Sequence, residues 1–182
     1  MALALFVAWP LAAQRMPPES RPRAEQHAAW RAMLSASDEA LGDGRWDEAE
    51  AGLVAVIEQA RAVEHEGLLL ARAVDRLADL RREKDELDEA ERLYRESAAL
   101  WTRLLGESQP RLGVTLHNLG VVYLTQERLA EARDSLERAL VIFESSMGHD
   151  SAHANRTRQL LQTLDRQRSV PLARQEPATV SR

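Results

Sequence analysis

The 182-residue sequence contains no cysteine, one lysine and few aromatic residues. Without cysteine the chain has no disulfides, no thiol nucleophile and no thiolate metal ligand. Aromatic residues make up 4% of the chain, whereas Ala, Leu, Glu and Arg are abundant, and these residues favour helix because they lose little rotamer freedom there. Lys84 is the single lysine, so the positive charge is almost all arginine, which we interpret as the mark of a GC-rich bacterial genome.

The net charge also limits the classes of function. The formal net charge is −5, and no stretch concentrates basic residues as a nucleic-acid-binding face would require. A chain of 182 residues is long enough to bury a hydrophobic core, and its length favours one domain. We therefore expect a helical protein that does not bind nucleic acid.

The two ends of the sequence differ in composition from the middle. Residues 1–13 (MALALFVAWPLAA) are nearly all apolar but too few to span a bilayer, which needs about 20 apolar residues. They resemble a secretory signal cleaved after Ala13, although no basic residue precedes Arg15; an uncleaved membrane anchor and an incidental apolar end are the alternatives. A signal would place the protein in the periplasm or outside the cell, and otherwise we expect it in the cytoplasm. We interpret proline-rich residues 14–26 as a linker and residues 169–182 as a disordered tail.

The middle of the sequence contains a repeat. Apolar residues recur every three or four positions in two adjoining segments of residues 114–148, so each segment predicts a helix with one apolar face. The pattern has an upstream copy at a fixed distance of 42 residues. The matched pairs are Leu77 and Leu119, Ala78 and Gly120, Leu87 and Leu129, Ala90 and Ala132, and Tyr94 and Leu136. A constant period of this length is typical of stacked helical repeats.

Start and stop signals follow the same period. Gly106 and Gly148 are expected to end helices in a left-handed conformation, Ser108 and Asp150 to cap the next helices, and Pro110 to lie in a first turn. The predicted helices cover about residues 27–41, 46–63, 70–82, 87–105, 110–125, 129–147 and 151–167. The half-polar last helix suits the end of an array, where no further repeat covers it. The sequence thus predicts an all-α fold, an α-solenoid of about three helix-turn-helix repeats plus a C-terminal capping helix, over residues 27–168.

The residues resemble the tetratricopeptide repeat, in the 42-residue form of kinesin-light-chain-like and many bacterial proteins. The match covers about residues 27–167 and is strongest in LADLRREKDELDEAERLYRESA and LGVVYLTQERLAEARDSLERAL. The resemblance implies close helix contacts at small residues and a bulky residue filling each groove; the small residues are Ala49, Ala78, Ala90, Gly120 and Ala132, and the bulky ones Leu53, Tyr94 and Leu136.

Three residues depart from the pattern of that family. Arg81 stands where the third copy has Tyr123, so the second pair is expected to expose that edge or to bury only the arginine stem. Asp85 and Glu127 occupy the turn position that Gly44 holds in the first pair.

The resemblance also implies a site. In such repeats the first helix of each pair lines a concave groove that binds extended or helical peptides. The groove-facing positions here are Arg31, Leu34, Asp38, Arg72, Asp75, Arg76, Asp79, His117, Asn118, Val121, Thr125, Arg156 and Gln159. An asparagine amide can donate to and accept from a peptide backbone, and arginines can bind carboxylates. The alternative is a solvated surface with intrahelical pairs, Arg72 with Asp75 and Arg76 with Asp79.

Signals for chemistry are weak. His149 and His153 are four residues apart, as in some metal sites, but no fixed third ligand accompanies them, so we expect no metal. The sequence has no nucleophile-elbow motif and no glycine-rich phosphate loop, and its paired carboxylates suit helix starts.

We therefore expect a non-enzymatic scaffold without cofactor or small-molecule substrate, whose partner is a protein or peptide. It would contact a membrane only through an uncleaved N-terminal anchor. The alternatives are a self-associating structural protein and an accessory subunit of a larger signalling system.

Overall fold

The computed structural model of the chain describes residues 23–62 and 67–169, and within them the backbone forms seven α-helices and no strand. The predicted signal segment, residues 14–22 of the linker and residues 170–182 of the tail lie outside the described residues. The helices are α1 Arg23–Gly42, α2 Trp46–Ala62, α3 Leu68–Glu83, α4 Leu87–Leu105, α5 Pro110–Thr125, α6 Leu129–Met147 and α7 Ala152–Ser169. None of these helices has the length and apolar content needed to cross a membrane.

The helices keep the period that the sequence predicts. The starts of α3, α5 and α7 are 42 residues apart, and so are those of α4 and α6. Three predicted helices, α4, α5 and α6, begin and end at the predicted residues. The chain forms two compact units, an N-terminal unit that ends at Leu100 and a C-terminal unit that begins at Trp101, so the division falls within α4.

Several predicted boundaries are wrong by one to four residues. Helix α1 begins at Arg23, so residues 23–26 are helical and not linker. The residues that precede α5 and α7 are Gln109 and Ser151, each one position later than the predicted caps Ser108 and Asp150. Gln109 has extended backbone because it precedes Pro110, whose ring disfavours helical backbone in the residue before it. The Ser151 hydroxyl accepts a hydrogen bond from the Ala154 amide at 3.3 Å.

The same turn joins the two helices of each pair. Gly44, Asp85 and Glu127 have positive φ angles of 72°, 62° and 60°. The next residue donates its amide to the carbonyl five positions back, in the bonds Arg45 to Ala40, Glu86 to Arg81 and Arg128 to Tyr123, at 2.8–2.9 Å. This is the Schellman arrangement, which satisfies the last carbonyls of a helix. Two non-glycine residues therefore hold a conformation that costs L-amino acids about 1–2 kcal/mol.

Small residues allow the paired helices to approach closely. Ala49, Ala78, Ala90 and Ala132 are fully buried, as the repeat pattern predicts. A Cβ atom on Gly120 would lie 2.7 Å from Cγ of Leu136, which is also fully buried. Helix α6 can therefore pack against α5 at this point only because residue 120 has no side chain.

Candidate functional site

The exposed side of the first helices in the N-terminal unit carries an ion-pair network. The Asp38 carboxylate, on α1, accepts a hydrogen bond from Arg72 and forms an ion pair with Nε of Arg76 at 3.0 Å. Arg76 also pairs with Asp79 within α3 at 3.4 Å. Three predicted groove residues on α3 and one on α1 are thus brought together, but their charges largely satisfy one another. Arg31, also on α1, is exposed and donates from Nε to the carbonyl of His27 at 3.3 Å.

Two predicted groove positions, Leu34 and Asp75, are buried. Leu34 is 1% exposed and belongs to the core. Asp75 is 8% exposed, and its carboxylate accepts a hydrogen bond of 3.1 Å from the buried hydroxyl of Ser97 on α4. Asp75 lies one residue after buried Val74 and three before buried Ala78, which places it on the face of α3 that packs against α4. The alternative pairing of Asp75 with Arg72 is not formed, because Arg72 pairs with Asp38 and Asp75 with Ser97.

Tyr94 links the core to this network. Its hydroxyl donates to the Asp79 carboxylate at 2.6 Å, and the side chain is fully buried. Burial, followed by the neighbouring Asp79 carboxylate, raises the pKa of the Tyr94 hydroxyl, so it stays a neutral donor. The sequence pattern predicts only that Tyr94 fills space between helices, because a helical pattern does not show which group a tyrosine hydroxyl will contact.

Arg81 corrects a second expectation. Its side chain is 18% exposed, and the guanidinium itself is covered, since it pairs with Glu50 of α2 at 2.6 Å and with Glu86 of the turn at 2.7 Å. In the C-terminal unit, Tyr123 stands at the position of Arg81 and Arg128 at that of Glu86. The Arg128 guanidinium lies 4.4 Å from the centre of the Tyr123 ring. Both units therefore fill this position, one with an ion pair and the other with a cation–π contact.

A histidine links the first helices of the C-terminal unit. Nδ1 of His117 on α5 lies 2.8 Å from the Thr157 hydroxyl on α7, and that hydroxyl donates to the carbonyl of His153 at 2.8 Å. The Thr157 hydroxyl has one proton, which it donates to the His153 carbonyl, so its oxygen accepts from His117. His117 therefore carries its proton on Nδ1. The remaining predicted positions are Asn118 and Val121, which are half-buried, and Thr125, Arg156 and Gln159, which are exposed. Within the part of the chain that the structure describes, the Arg156 side chain makes no ion pair or hydrogen bond.

Each unit also has a crevice at the same place, between the end of one first helix, the turn after it and the following first helix. The N-terminal crevice, of about 290 Å³, is lined by Leu41, Trp46, Arg76, Asp79, Leu80 and Glu83. The C-terminal crevice, of about 500 Å³, is lined by Leu124, Glu127, Leu129, Leu160, Thr163 and Leu164. Five of these residues correspond one to one at distances of 83 or 84 residues, twice the repeat period. Sequence reasoning did not find the crevices, because their walls come from three separate segments.

The two histidines at metal-site spacing have other contacts. His149 pairs with Glu144 at 2.9 Å, next to Arg158, and the His153 ring stacks on Phe143 with centroids 5.0 Å apart. Across residues 23–62 and 67–169, no three His, Cys, Asp or Glu side chains come together in a way that would hold a metal ion.

The helix pairs, their period and their shared turn define the class of the protein, an all-α solenoid of helix-turn-helix repeats. The family model for the tetratricopeptide repeat matches residues 69–145. Residues 69–145 therefore contain tetratricopeptide repeats, as the sequence pattern predicts. No curated protein matches it in sequence.

Solved structures share the fold. BtubC (BKLC) from P. vanneervenii is 18% identical with a TM-score of 0.66, over 81% of this chain and 56% of that one, so the chain spans little more than half of its length. The type III secretion translocator chaperone SycD from Yersinia enterocolitica is 17% identical with a TM-score of 0.64, over 78% of this chain and 96% of that one. The TPR-like repeats of a putative kinesin light chain from P. anserina are 19% identical with a TM-score of 0.64, over 74% and 64% of the two chains. At these identities the likeness establishes the fold alone.

Proposed function

We propose that the chain is a non-catalytic protein-interaction scaffold that binds a peptide or protein segment along the first helices of its repeats. The observation that carries this proposal is the contrast on those helices between paired and unpaired side chains. Asp38, Arg72 and Arg76 in the N-terminal unit pair with one another, whereas Arg156 and Gln159 on α7 are exposed and Val121 on α5 is half-buried. Exposed polar groups next to apolar surface favour contact with another polypeptide.

Recognition would depend on a surface that is already formed. Asn118 lies on α5 between His117 and Val121, and its amide is suited to a peptide backbone, which offers a donor and an acceptor at each residue. Arg156 supplies a guanidinium that can bind a carboxylate through two hydrogen bonds. Because regular helices hold these side chains, the scaffold loses little conformational entropy on binding, and most of the ordering cost falls on the peptide.

A selection from a random peptide library displayed on phage, with the full chain as bait, tests the proposal. Fluorescence anisotropy then gives the Kd of each selected peptide for the wild type and for Arg156→Ala/Gln159→Ala. We expect at least tenfold weaker binding to the variant, with unchanged helicity by circular dichroism. The matched control is Asp134→Ala/Arg138→Ala, which changes exposed residues of the second helix α6 and should preserve the Kd. Equal loss in both variants, or a failure to select any peptide, would contradict the proposal.

Self-association is the second candidate, and one observation favours it. Val141 and Met147 on α6 are 66% and 45% exposed, and exposed apolar side chains of this kind can contribute to an interface between copies. Light scattering at several concentrations, on the wild type and on Val141→Glu, separates the candidates. A monodisperse monomer at every concentration excludes self-association, whereas a wild-type dimer that Val141→Glu dissociates establishes it.

A further inference from the structure

The C-terminal crevice differs from its N-terminal counterpart in chemistry, although the backbone positions correspond. Arg76 and Asp79 of the N-terminal crevice form an ion pair, and Glu83 adds a third charged side chain to its wall. The corresponding positions of the C-terminal crevice hold Leu160 and Thr163. One charged wall has thus become uncharged, and the volume is larger, about 500 Å³ against about 290 Å³.

The apolar walls of the C-terminal crevice are accessible. Leu129 is 45% exposed, and Leu124 and Leu160 are half-buried, while Leu164 closes the floor at 4% exposure. A leucine or methionine side chain placed among them would exchange water contact for apolar contact, which favours binding. The volume is sufficient for one large side chain with part of its backbone.

Two charges of opposite sign lie at the two ends of this crevice. Helices α5 and α7 run in the same direction, since His117 contacts Thr157 and Leu124 lines the crevice with Leu164. Glu127 follows the end of α5 and therefore lies at the carboxyl-terminal end, whereas Arg156 precedes Leu160 by one turn and lies at the other end. In the described part of the chain neither side chain has an ion pair or hydrogen bond, and both are exposed.

The spacing suits an extended peptide. Residues 156 and 160 are separated by about 6 Å along the axis of α7, at about 1.5 Å per residue. Two residues of extended chain cover about 6.6 Å. Consider an extended peptide that runs along the axis of α7 with an apolar side chain in the crevice. Its side chain two positions to one side then lies close to Arg156, and its side chain two positions to the other side lies towards Glu127.

We propose that the C-terminal crevice takes a leucine-sized apolar side chain of an extended peptide, with a carboxylate two positions to one side on Arg156 and a cationic side chain two positions to the other on Glu127. This inference rests on the proposed function and names the chemistry of the segment that the scaffold binds. Charge complementarity sets the orientation of the peptide, and the apolar crevice supplies most of the affinity.

Titration of the full-length protein, labelled with ¹³C at its leucine methyls, tests the proposal. The probes are four end-capped peptides: Asp-Ser-Leu-Ser-Lys, its Leu-to-Ser analogue, Asp-Ser-Leu-Ser-Asp and Lys-Ser-Leu-Ser-Lys. We expect the first to shift the Leu129 and Leu160 methyl signals with the lowest Kd, and the Leu-to-Ser analogue to leave them in place. Glu127→Lys should make the doubly acidic peptide the best ligand, and Arg156→Glu the doubly basic one, each by about threefold in Kd.

Matched controls separate charge placement from net charge. Asp85→Lys makes the same charge change as Glu127→Lys, at the same turn position and in the same left-handed conformation, but in the N-terminal unit. Arg31→Glu is the corresponding control for Arg156→Glu. Both controls should leave the order of the peptides unchanged. The proposal is wrong if neither Glu127→Lys nor Arg156→Glu alters the order of the peptide Kd values. It is also wrong if no peptide shifts the leucine methyl signals.

Other occupants give different results. If Leu172→Ser changes the Leu129 and Leu160 signals without peptide, the segment after α7 fills the crevice and the proposal is wrong. If dilution changes them, a second copy fills it, and the proposal is again wrong. Peptides selected on phage that bind and respond to Arg156→Ala/Gln159→Ala, without moving these methyls, would leave the proposed function standing and remove only this inference.

Discussion

The N-terminal and C-terminal units share their turns and small packing residues but differ in the side chains that face outward. In the N-terminal unit, Asp38, Arg72, Arg76 and Asp79 pair on the first helices. In the C-terminal unit, the first helices present an apolar crevice and an unpaired Arg156 within the described residues. The comparison teaches that the 42-residue period specifies the backbone and its buried contacts, while exposed positions remain open to local chemistry.

The ion pairs between successive helix pairs show the same difference in a sharper form. Glu50 of α2 pairs with Arg81 of α3 at 2.6 Å, and Arg133 of α6 pairs with Asp165 of α7 at 2.5 Å. Glu50 and Arg133 are each the fifth residue of a second helix. Their partners, Arg81 and Asp165, are each the fourteenth residue of a first helix. The two pairs therefore occupy equivalent positions, but the acid is on the second helix in one pair and on the first helix in the other.

The largest expected effect is a loss of stability in the C-terminal unit on Gly120→Ala. The new Cβ would lie 2.7 Å and 2.9 Å from Cγ and Cδ2 of Leu136, so we expect destabilisation of about 1–3 kcal/mol, although alanine is the better helix former. Urea denaturation gives the free energy of unfolding. Gly42→Ala, where nothing lies within 4 Å of the new Cβ, is the control and should be neutral or stabilising. Additive costs of Gly120→Ala and Leu136→Ala in the double variant would contradict the predicted clash.

The second prediction compares the stability cost of breaking each of the two ion pairs between successive helix pairs. Glu50→Gln should cost about 1 kcal/mol, because Glu50 holds both Arg81 and Lys84 and the side chains of Glu50 and Arg81 are 26% and 18% exposed. Arg133→Gln should cost less, since Asp165 is 64% exposed and water already screens that pair. Thermal denaturation of the two variants measures the order, and an equal or larger shift in Tm for Arg133→Gln would contradict it.

The Glu50 pair should also make stability depend on pH. The hydrogen bond from Lys84, and then the bond and charge of Arg81, lower the pKa of Glu50 below its ordinary value of 4.5. A lowered folded-state pKa stabilises the protein above the unfolded pKa, and that stabilisation disappears as the pH falls through the folded value. The difference in unfolding free energy between wild type and Glu50→Gln should therefore shrink as the pH drops from about 5 towards 3. A difference that stays constant over that range would show that Glu50 does not titrate in this way.

The smallest effect concerns the turns. Glu127→Gly should stabilise the chain by up to about 1 kcal/mol, because glycine adopts positive φ without a Cβ clash but has more backbone entropy to lose. Asp85→Gly should gain less, since aspartate tolerates the left-handed region better than glutamate does. Chemical denaturation measures both variants. A larger gain at Asp85 than at Glu127 would show that strain in the backbone is not the cause.

Much of the fold follows from the sequence because backbone regularity produces local signals. The boundaries of α4, α5 and α6 were predicted to the residue, since Gly106, Pro110 and Gly148 mark the ends of helices that also repeat in phase. The first boundary of α1 was wrong, because residues 23–26 have no apolar periodicity and the preceding prolines suggested a linker. The bounds of α7 shifted for a related reason, as it is polar on most of its surface.

The candidate site was less predictable, because burial depends on neighbours that a single helix does not reveal. Asp75 looked like a surface acid until Ser97 of the next helix accounted for it. Arg81 looked like an exposed edge until Glu50, 31 residues earlier, covered its guanidinium. The crevices require three segments to come together, so no local pattern announces them.

The reversed polarity of the two inter-pair ion pairs has a consequence for misassembly. Repeats of similar shape risk exchanging partners between chains, or docking out of register, while they fold. If the second helix α2 met α7 in place of α3, Glu50 would face Asp165, and if α6 met α3, Arg133 would face Arg81. Each wrong junction would set like charges against each other. We therefore expect the reversed polarity to favour the correct junctions over near copies of them.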